Sequence, residues 1–316
     1  MNRREGLGGT QAILLFVLAS ALVSLSAPDV WAQAPEVPVY QQGRKRAEQD
    51  ERISNAAKEL YAEGRAAKLE QIREQLKRSS CSMEVPKASR KKLGSREICA
   101  AARSSHLRVG WCYLCGKCDQ WHVNLAGGYV ISKNGAVATC YHVVQPTKEV
   151  MQGCLVAADD GGQVLPVTEV LAASRYADAC ILRVAGRDLH PLPLKTNVYP
   201  GEAAYCFSDP LDHRGYFSQG VVNRFYQFPG RRSFTAAASA AYAPTRLNVS
   251  TDWAPGSSGS AVLDDCGNVI GHVSTISAIE DDEGADAENP RISGPTMIVF
   301  HEAVSAKDVL RLVRTD

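Results

Sequence analysis

Apolar positions follow four successive patterns along this chain. Behind Arg3 and Arg4 an uncharged, mostly apolar run extends from Ala12 to Leu25. It is shorter than the roughly 20 residues that span a bilayer. Small residues that fit an A-x-A cleavage site, Ala32-Gln33-Ala34, follow it. Basic start, short apolar run and small-residue site together predict a secretory signal peptide over residues 1–34, the plain alternative being an uncleaved anchor. No second long apolar run follows, so no stable membrane span is expected after cleavage. The second pattern covers 44–78. Ile53, Ala57, Leu60, Ala67, Ile72 and Leu76 recur at three-to-four spacing and predict one long amphipathic helix. Its stripe is thin and half alanine. That fits a helical stalk, a segment packed on the main domain, or a seam through which a homo-oligomer could pair. The third is the basic stretch Lys87–Arg96, read as an exposed linker.

Beyond about His106 the period shortens to that of strands. Val130-Ile131, then Lys133-Asn134-Gly135, then Ala136-Val137-Ala138 make a strand, an Asn-Gly turn and a strand, a strong hairpin signal. Short apolar runs follow at 154–157, 164–170, 180–184, 203–207, 220–225, 247–250, 261–263 and 269–274, punctuated by Gly, Pro or Asp. This is the pattern of an all-β sandwich or barrel. Only Ser305–Val313 returns to helical spacing. The division expected is a signal over 1–34, a helical extension with basic linker over 35–104, and one main domain over 105–316.

Composition narrows the functional classes. A chain of 316 residues with 45% hydrophobic and 22% charged content is an ordinary globular protein with enough length for a real core. Thirty-five basic residues against 34 acidic ones remove the electrostatic reason to expect a nucleic-acid partner.

Three short stretches carry chemistry. In Pro255-Gly256-Ser257-Ser258-Gly259-Ser260 three serines compete as nucleophile. Acyl transfer needs backbone N–H donors for the developing oxyanion, commonly from the nucleophile and the residue two before it. For Ser257 that residue is Pro255, which has no N–H. For Ser260 the flanking glycines are lost, whereas for Ser258 it is Gly256. Ser258 is therefore the candidate nucleophile, with Gly256 and Ser258 as the oxyanion hole; the bland reading is a glycine-serine turn. His142, alone among the seven histidines, ends an apolar strand at a position where it could face a cleft and serve as base. Asp178, at the mouth of the apolar run 180–184, could orient that base. Taken singly, His142 reads as a hydrogen-bonded structural residue and Asp178 as a turn residue. The triad lacks the G-x-S-x-G elbow of α/β esterases, which sets an esterase aside.

The order His142, Asp178, Ser258 and the stretches GGYVISKNGAVATCYHVV, DACILRV and STDWAPGSSGSAVLDDCGNVIGHVST resemble the trypsin/chymotrypsin superfamily, and more closely its HtrA-type (DegP-like) bacterial branch. The closing stretch TMIVFHEAVSAKDVLRLV is similar to the last strand and helix of that branch's protease domain. The resemblance runs from about Trp121 to Val313. It implies an all-β fold of two six-stranded β-barrels with the site between them, and His142, Asp178 and Ser258 as catalytic triad. It also implies an edge at Ser274, Thr275 and Ile276 where an extended peptide pairs. The function implied is a secreted or periplasmic serine endopeptidase acting on protein or peptide substrates without cofactor or catalytic metal; the alternative is a catalytically silent binding or chaperone module. The chain ends shortly after this region, so the PDZ domain usual in HtrA proteins is not expected. The approach to Ser258 is about two residues shorter than in most of that branch. Asp252, six before the serine, reads either as a specificity acid or as the motif's structural Asp. His272 falls one residue early for a pocket histidine and should face the other side of its strand.

Cys112, Cys115 and Cys118 form C-x2-C-x2-C, with His122 four residues on. They could hold zinc as a Cys3His set. Secretion, an even total of ten cysteines, and Cys81 and Cys99 nearby favour disulfides instead. Cys140 and Cys180, in strands beside the site, read as free core thiols. The acidic run 280–288 reads as a surface loop without chemistry.

Overall fold

The computed structural model describes residues 37–186, 188–227, 242–280 and 296–314. The expected signal peptide and all but the first residue of the acidic run lie outside the described residues. The chain divides into two compact units, Met1–Val39 and Tyr40–Asp316; of the first, only the irregular stretch 37–39 is described. All elements below belong to the second.

The unit opens with α1 (Arg44–Ala62) and α2 (Leu69–Gln75), where a single helix over 44–78 was expected. The break has a local cause. Gly64 takes φ +67°, Arg65 N–H reaches back to the Leu60 carbonyl and Gly64 N–H to that of Tyr61, the paired bonds of a Schellman stop. Past the stop, Ala67 exchanges backbone bonds with Val167 and Leu155. Seven residues are too few for a stable isolated helix. α2 stands because Leu69 and Ile72 are buried, each adding roughly 1.5–3 kcal/mol of burial. Ile53, Ala57 and Leu60 of α1 are buried as well. Of the readings open for the apolar stripe, the structure shows a segment packed on the main domain, with Ala57 and Leu60 against Cys112, Cys154 and Val156.

A short strand β1 (Cys81–Ser82) follows, then the largely exposed basic stretch, then α3 (Ser95–Ser105), whose Glu97 carboxylate accepts the Gly94 N–H as a capping box does. The first barrel comprises β2 (His106–Cys115), β3 (Trp121–Ser132), β4 (Ala136–Thr139), β5 (Val150–Ala158), β6 (Val164–Ser174) and β7 (Ala179–Val184), with the short helix α4 (Tyr141–Val144) between β4 and β5. The second comprises β8 (Ala203–Ser208), β9 (Tyr216–Gln227), β10 (Thr245–Val249), β11 (Ala261–Leu263), β12 (Val269–Glu280) and β13 (Thr296–Ser305). Both are closed and antiparallel, in the orders β2-β3-β4-β7-β6-β5 and β10-β13-β12-β11-β8-β9. This is the chymotrypsin-like architecture that the resemblance implies. α5 (Ala306–Leu310), capped by Ser305, and β14 (Val313–Arg314), paired in parallel with β1, close the chain.

Strand parity explains why β3, β4 and β7 read as continuous apolar runs. Side chains alternate between faces. Val130, Val137, Cys180 and Leu182 fill the first barrel. Their neighbours Tyr129, Ile131, Ala136, Ala138 and Ile181 point the other way, into a cluster shared with Tyr205, Phe207, Leu263 and Val304 of the second barrel. These strands are apolar on both faces because the second barrel covers the outer one. Among the described residues, no helix is long and apolar enough to cross a membrane.

Candidate active site

Each candidate residue sits where a strand ends. His142 lies on α4, directly after β4, with its side chain about half exposed. Asp178 occupies the turn into β7 with φ +59°, a left-handed conformation that Asp tolerates better than most residues. Ser258 lies in the turn before β11. Of the three serines in that turn, Ser257 and Ser260 are fully buried, while Ser258 lines an open cleft of about 470 Å³ together with His142 and Gly256.

The Asp178 carboxylate organises the centre. Its Oδ1 accepts the His142 backbone N–H at 3.1 Å, and the His142 ring Nδ1 lies 3.0 Å from Oδ2. Ser274 Oγ donates to Oδ2 at 2.7 Å. Burial alone would raise the Asp178 pKa, but the hydrogen bond and charge of His142 and the Ser274 hydroxyl outweigh it and hold the carboxyl at about 2. The carboxylate is therefore ionised and aims His142 Nδ1 inward, which leaves Nε2 for the cleft. Among the described residues no hydrogen bond joins the His142 ring to Ser258, a contact that commonly tightens only when substrate fills such a site.

The turn that carries Ser258 is knit to both barrels. Gly127 N–H of β3 donates to the Ser258 carbonyl at 2.7 Å, and Gly259 N–H to the Val273 carbonyl of β12 at 2.8 Å. The approach needs glycine on both sides. A Cβ on Gly127 would stand 2.0 Å from Ser260 Oγ, and one on Gly259, with φ +83°, would stand 2.2 Å from the Gly127 oxygen. Gly256 adopts φ +103°, and a Cβ there would press on the Asp209 carbonyl oxygen. Among the described residues the N–H groups of Gly256 and Ser258 donate to nothing, so both remain for a ligand at the cleft.

The expected peptide edge divides by role. The Ser274 side chain is buried and committed to Asp178, whereas Thr275 and Ile276 are exposed. These residues lie beyond the last pairing of β11 with β12 at Ala261–His272, so among the described residues no strand pairs with that side of β12 there. Asp252 is exposed, does not line the cleft, and meets Ser218 only through its backbone. His272 is fully buried and away from the cleft, as its strand parity requires. Its Nε2 lies 3.3 Å from the Asp178 carbonyl oxygen, and its Nδ1 lies 3.4 Å from the Tyr129 hydroxyl. Burial lowers its pKa to about 4, so the ring is neutral and donates to that carbonyl from Nε2.

Several functional neighbours gave no sequence signal. The Ser274 hydroxyl, the His272 bond to the Asp178 backbone and the Trp253 indole, which donates to the Thr275 carbonyl at 3.1 Å, all depend on pairings across the fold. The buried pair His106–Asp209 supports the loop that contacts Gly256. Burial would raise the Asp209 carboxyl, but its hydrogen bond to His106 prevails and keeps it below the usual range. The cysteines depart from expectation. All ten are free thiols, so no disulfide forms among them. Cys112 does not join Cys115, Cys118 and His122. It is buried opposite Cys154 across β2 and β5, because residues three apart on a strand point to opposite faces.

Residues 126–271 match the family model described as the trypsin-like peptidase domain. No curated protein matches the chain. Among solved structures the chain is similar to the HtrA-type protease AlgW with decapeptide, at 13% identity over 69% of this chain and 66% of that one, with a TM-score of 0.49. It is similar to AlgW with tripeptide at 16% identity, over 69% and 62% of the two chains, with a TM-score of 0.47. It is also similar to the serine endoprotease from Yersinia pestis at 15% identity, over 71% and 64%, with a TM-score of 0.45. The chain thus spans just under two thirds of the length of these structures. The matched stretch, 126 to 271, contains His142, Asp178 and Ser258.

Proposed function

We propose that this protein is a serine endopeptidase that hydrolyses peptide bonds through an acyl-enzyme. The observation that carries the reading is the cleft itself: His142, held at Nδ1 by an ionised Asp178, lines the same walls as Ser258 and Gly256. Ser258 Oγ attacks the scissile carbonyl carbon while His142 Nε2 takes its proton. Asp178 fixes the tautomer and stabilises the imidazolium that forms. The negative charge on the carbonyl oxygen is met by the N–H groups of Gly256 and Ser258, each such donor being worth roughly 100–1000-fold in rate. His142 then protonates the departing amine. Water, deprotonated by the same ring, cleaves the acyl ester and restores Ser258. The substrate lies extended along Ser274, Thr275 and Ile276 and adds as a strand to the open side of β12. The signal-like start of the sequence supports action outside the cytoplasm, in the cell envelope or beyond.

The test is labelling of the purified chain with a fluorophosphonate probe, alongside cleavage of a diverse peptide library. Labelling and cleavage that both vanish in Ser258→Ala support the assignment. Wild-type protein that neither labels nor cleaves, or a variant that does both at the wild-type rate, overturns it.

A further inference from the structure

At the tip of the β2–β3 hairpin, where the chain turns from Cys115 to Trp121, Cys115, Cys118 and His122 converge. Their ligand atoms all lie within 4.8 Å of one another, and Cys118 Sγ stands 3.1 Å from His122 Nε2. We propose that these three residues form a zinc site, with two thiolates and one imidazole as protein ligands and solvent in the fourth position. Zn–S bonds of about 2.3 Å and Zn–N bonds of about 2.0 Å, arranged tetrahedrally, set ligand atoms roughly 3.5–3.8 Å apart. The widest separation needs at most about 1 Å of contraction, and the Cys118–His122 pair needs about 0.4 Å of lengthening.

The backbone is shaped for the same purpose. Lys117 N–H points at Cys115 Sγ at 3.4 Å, Asp119 N–H donates to the Cys115 carbonyl, and Cys115 N–H donates to the Gln120 carbonyl. The turn therefore wraps around one sulfur and offers it an N–H donor, which favours negative charge there. Gly116 N–H is fixed to the Glu149 carbonyl, so the turn is anchored on the β5 side. The Glu149 carboxylate is already paired with Lys117, which leaves the fourth position to solvent. Cys115 is buried while Cys118 and His122 are exposed, so the ion enters from solvent and closes over an inner ligand. Binding releases the two thiol protons and leaves a tetrahedral S2NO centre.

The position gives the site a consequence. His122 lies opposite Tyr113 in the β2–β3 register, with ring centroids 5.7 Å apart, and Tyr113 lines the cleft together with Trp111, Asn124 and Leu125 of the same hairpin. Zinc would clamp the end of the hairpin whose body is one wall of that cleft. The proposal does not depend on the chemistry of Ser258, and metal content reads it separately.

The experiment uses the full chain, purified with reductant, equilibrated with Zn2+ and freed of unbound metal. One zinc per chain is expected, lost in both Cys118→Ser and His122→Gln and kept in Cys112→Ala. Co2+ in place of zinc should give a tetrahedral spectrum with a thiolate charge-transfer band. Thermal melts check that each variant is folded. Three results overturn the proposal: no stoichiometric zinc in the wild type, zinc retained by both folded ligand variants, or a Cys115–Cys118 disulfide that persists in reductant.

Discussion

Ser274 Oγ and His142 Nδ1 share one oxygen, Oδ2 of Asp178, at 2.7 and 3.0 Å. The hydroxyl fixes the direction of the carboxylate, and the carboxylate fixes the ring. A hydrogen bond to a charged group contributes roughly 1.5–3 kcal/mol. Ser274→Ala should therefore lower kcat by about ten- to a hundredfold, with a smaller effect on KM, since the backbone of the peptide edge is unchanged. The Asp178 pKa should rise at the same time. Steady-state kinetics on a peptide substrate test this, and a change confined to KM would show that the residue serves substrate binding alone.

Asp178→Asn keeps the shape of that centre but makes it neutral and gives it an N–H donor. The His142 ring then settles in the tautomer that cannot accept a proton from Ser258. The expected loss is on the order of 10⁴ in kcat, the cost of a wrong tautomer in a triad of this kind. Fluorophosphonate labelling should slow in parallel. A variant that remains within tenfold of wild type would remove Asp178 from the mechanism.

Gly127→Ala tests how the two barrels hold Ser258. The new methyl would stand 2.0 Å from Ser260 Oγ and 2.6 Å from the Ser260 backbone nitrogen. The backbone cannot yield without moving the Ser258 carbonyl bonded to the Gly127 N–H. Overpacking of this kind costs about 1–3 kcal/mol, and the displacement falls on Ser258. Melting temperature should drop by several degrees, and kcat should drop far more than KM rises. Gly128→Ala would be a poor substitute, because its methyl would meet the Val109 and Val137 side chains inside the first barrel.

How much of this was legible in the chain follows from how local each determinant is. The β3–β4 hairpin announced itself because its turn residues are contiguous, and the choice of Ser258 over Ser257 rested on one proline in the same turn. The two-sided burial of β3, β4 and β7 erased their alternation, so only the length of the apolar runs marked them as strands. The break after α1 was invisible to periodicity, since the stripe from Ile53 to Leu76 continues across it. The signal was a single glycine at 64, whose effect depends on Ala67 pairing with a barrel strand far along the sequence. Cys112 was grouped with Cys115 by spacing, whereas strand parity sends it inward to Cys154. Ser274 and His272 belong to Asp178 only through strand register, more than 90 residues away.

His272 makes the last relationship measurable. Its ring is neutral, with a pKa of about 4 against an ordinary 6.5, because burial disfavours the charged form. The unfolded chain binds a proton at this residue below about pH 6.5, while the folded chain resists until about pH 4. The contribution of His272 is therefore complete above pH 6.5 and is lost as pH falls through that window, by roughly 3 kcal/mol over its width. Asp178, with its pKa lowered to about 2, titrates below this range and does not confuse it. Asp308 does overlap. Burial raises its carboxyl to about 7, so its contribution is complete below about pH 4 and is lost as pH rises toward 7, the opposite sign. A single profile of wild-type stability would mix the two. The measurement is the difference between wild type and His272→Gln, in which Asp308 is common to both. Gln retains a donor for the Asp178 carbonyl and cannot titrate. Denaturant midpoints taken from pH 7 to pH 4 should show the wild type losing stability relative to the variant as pH falls, and curves that stay parallel would mean that His272 is protonated in the folded protein or carries no strain there.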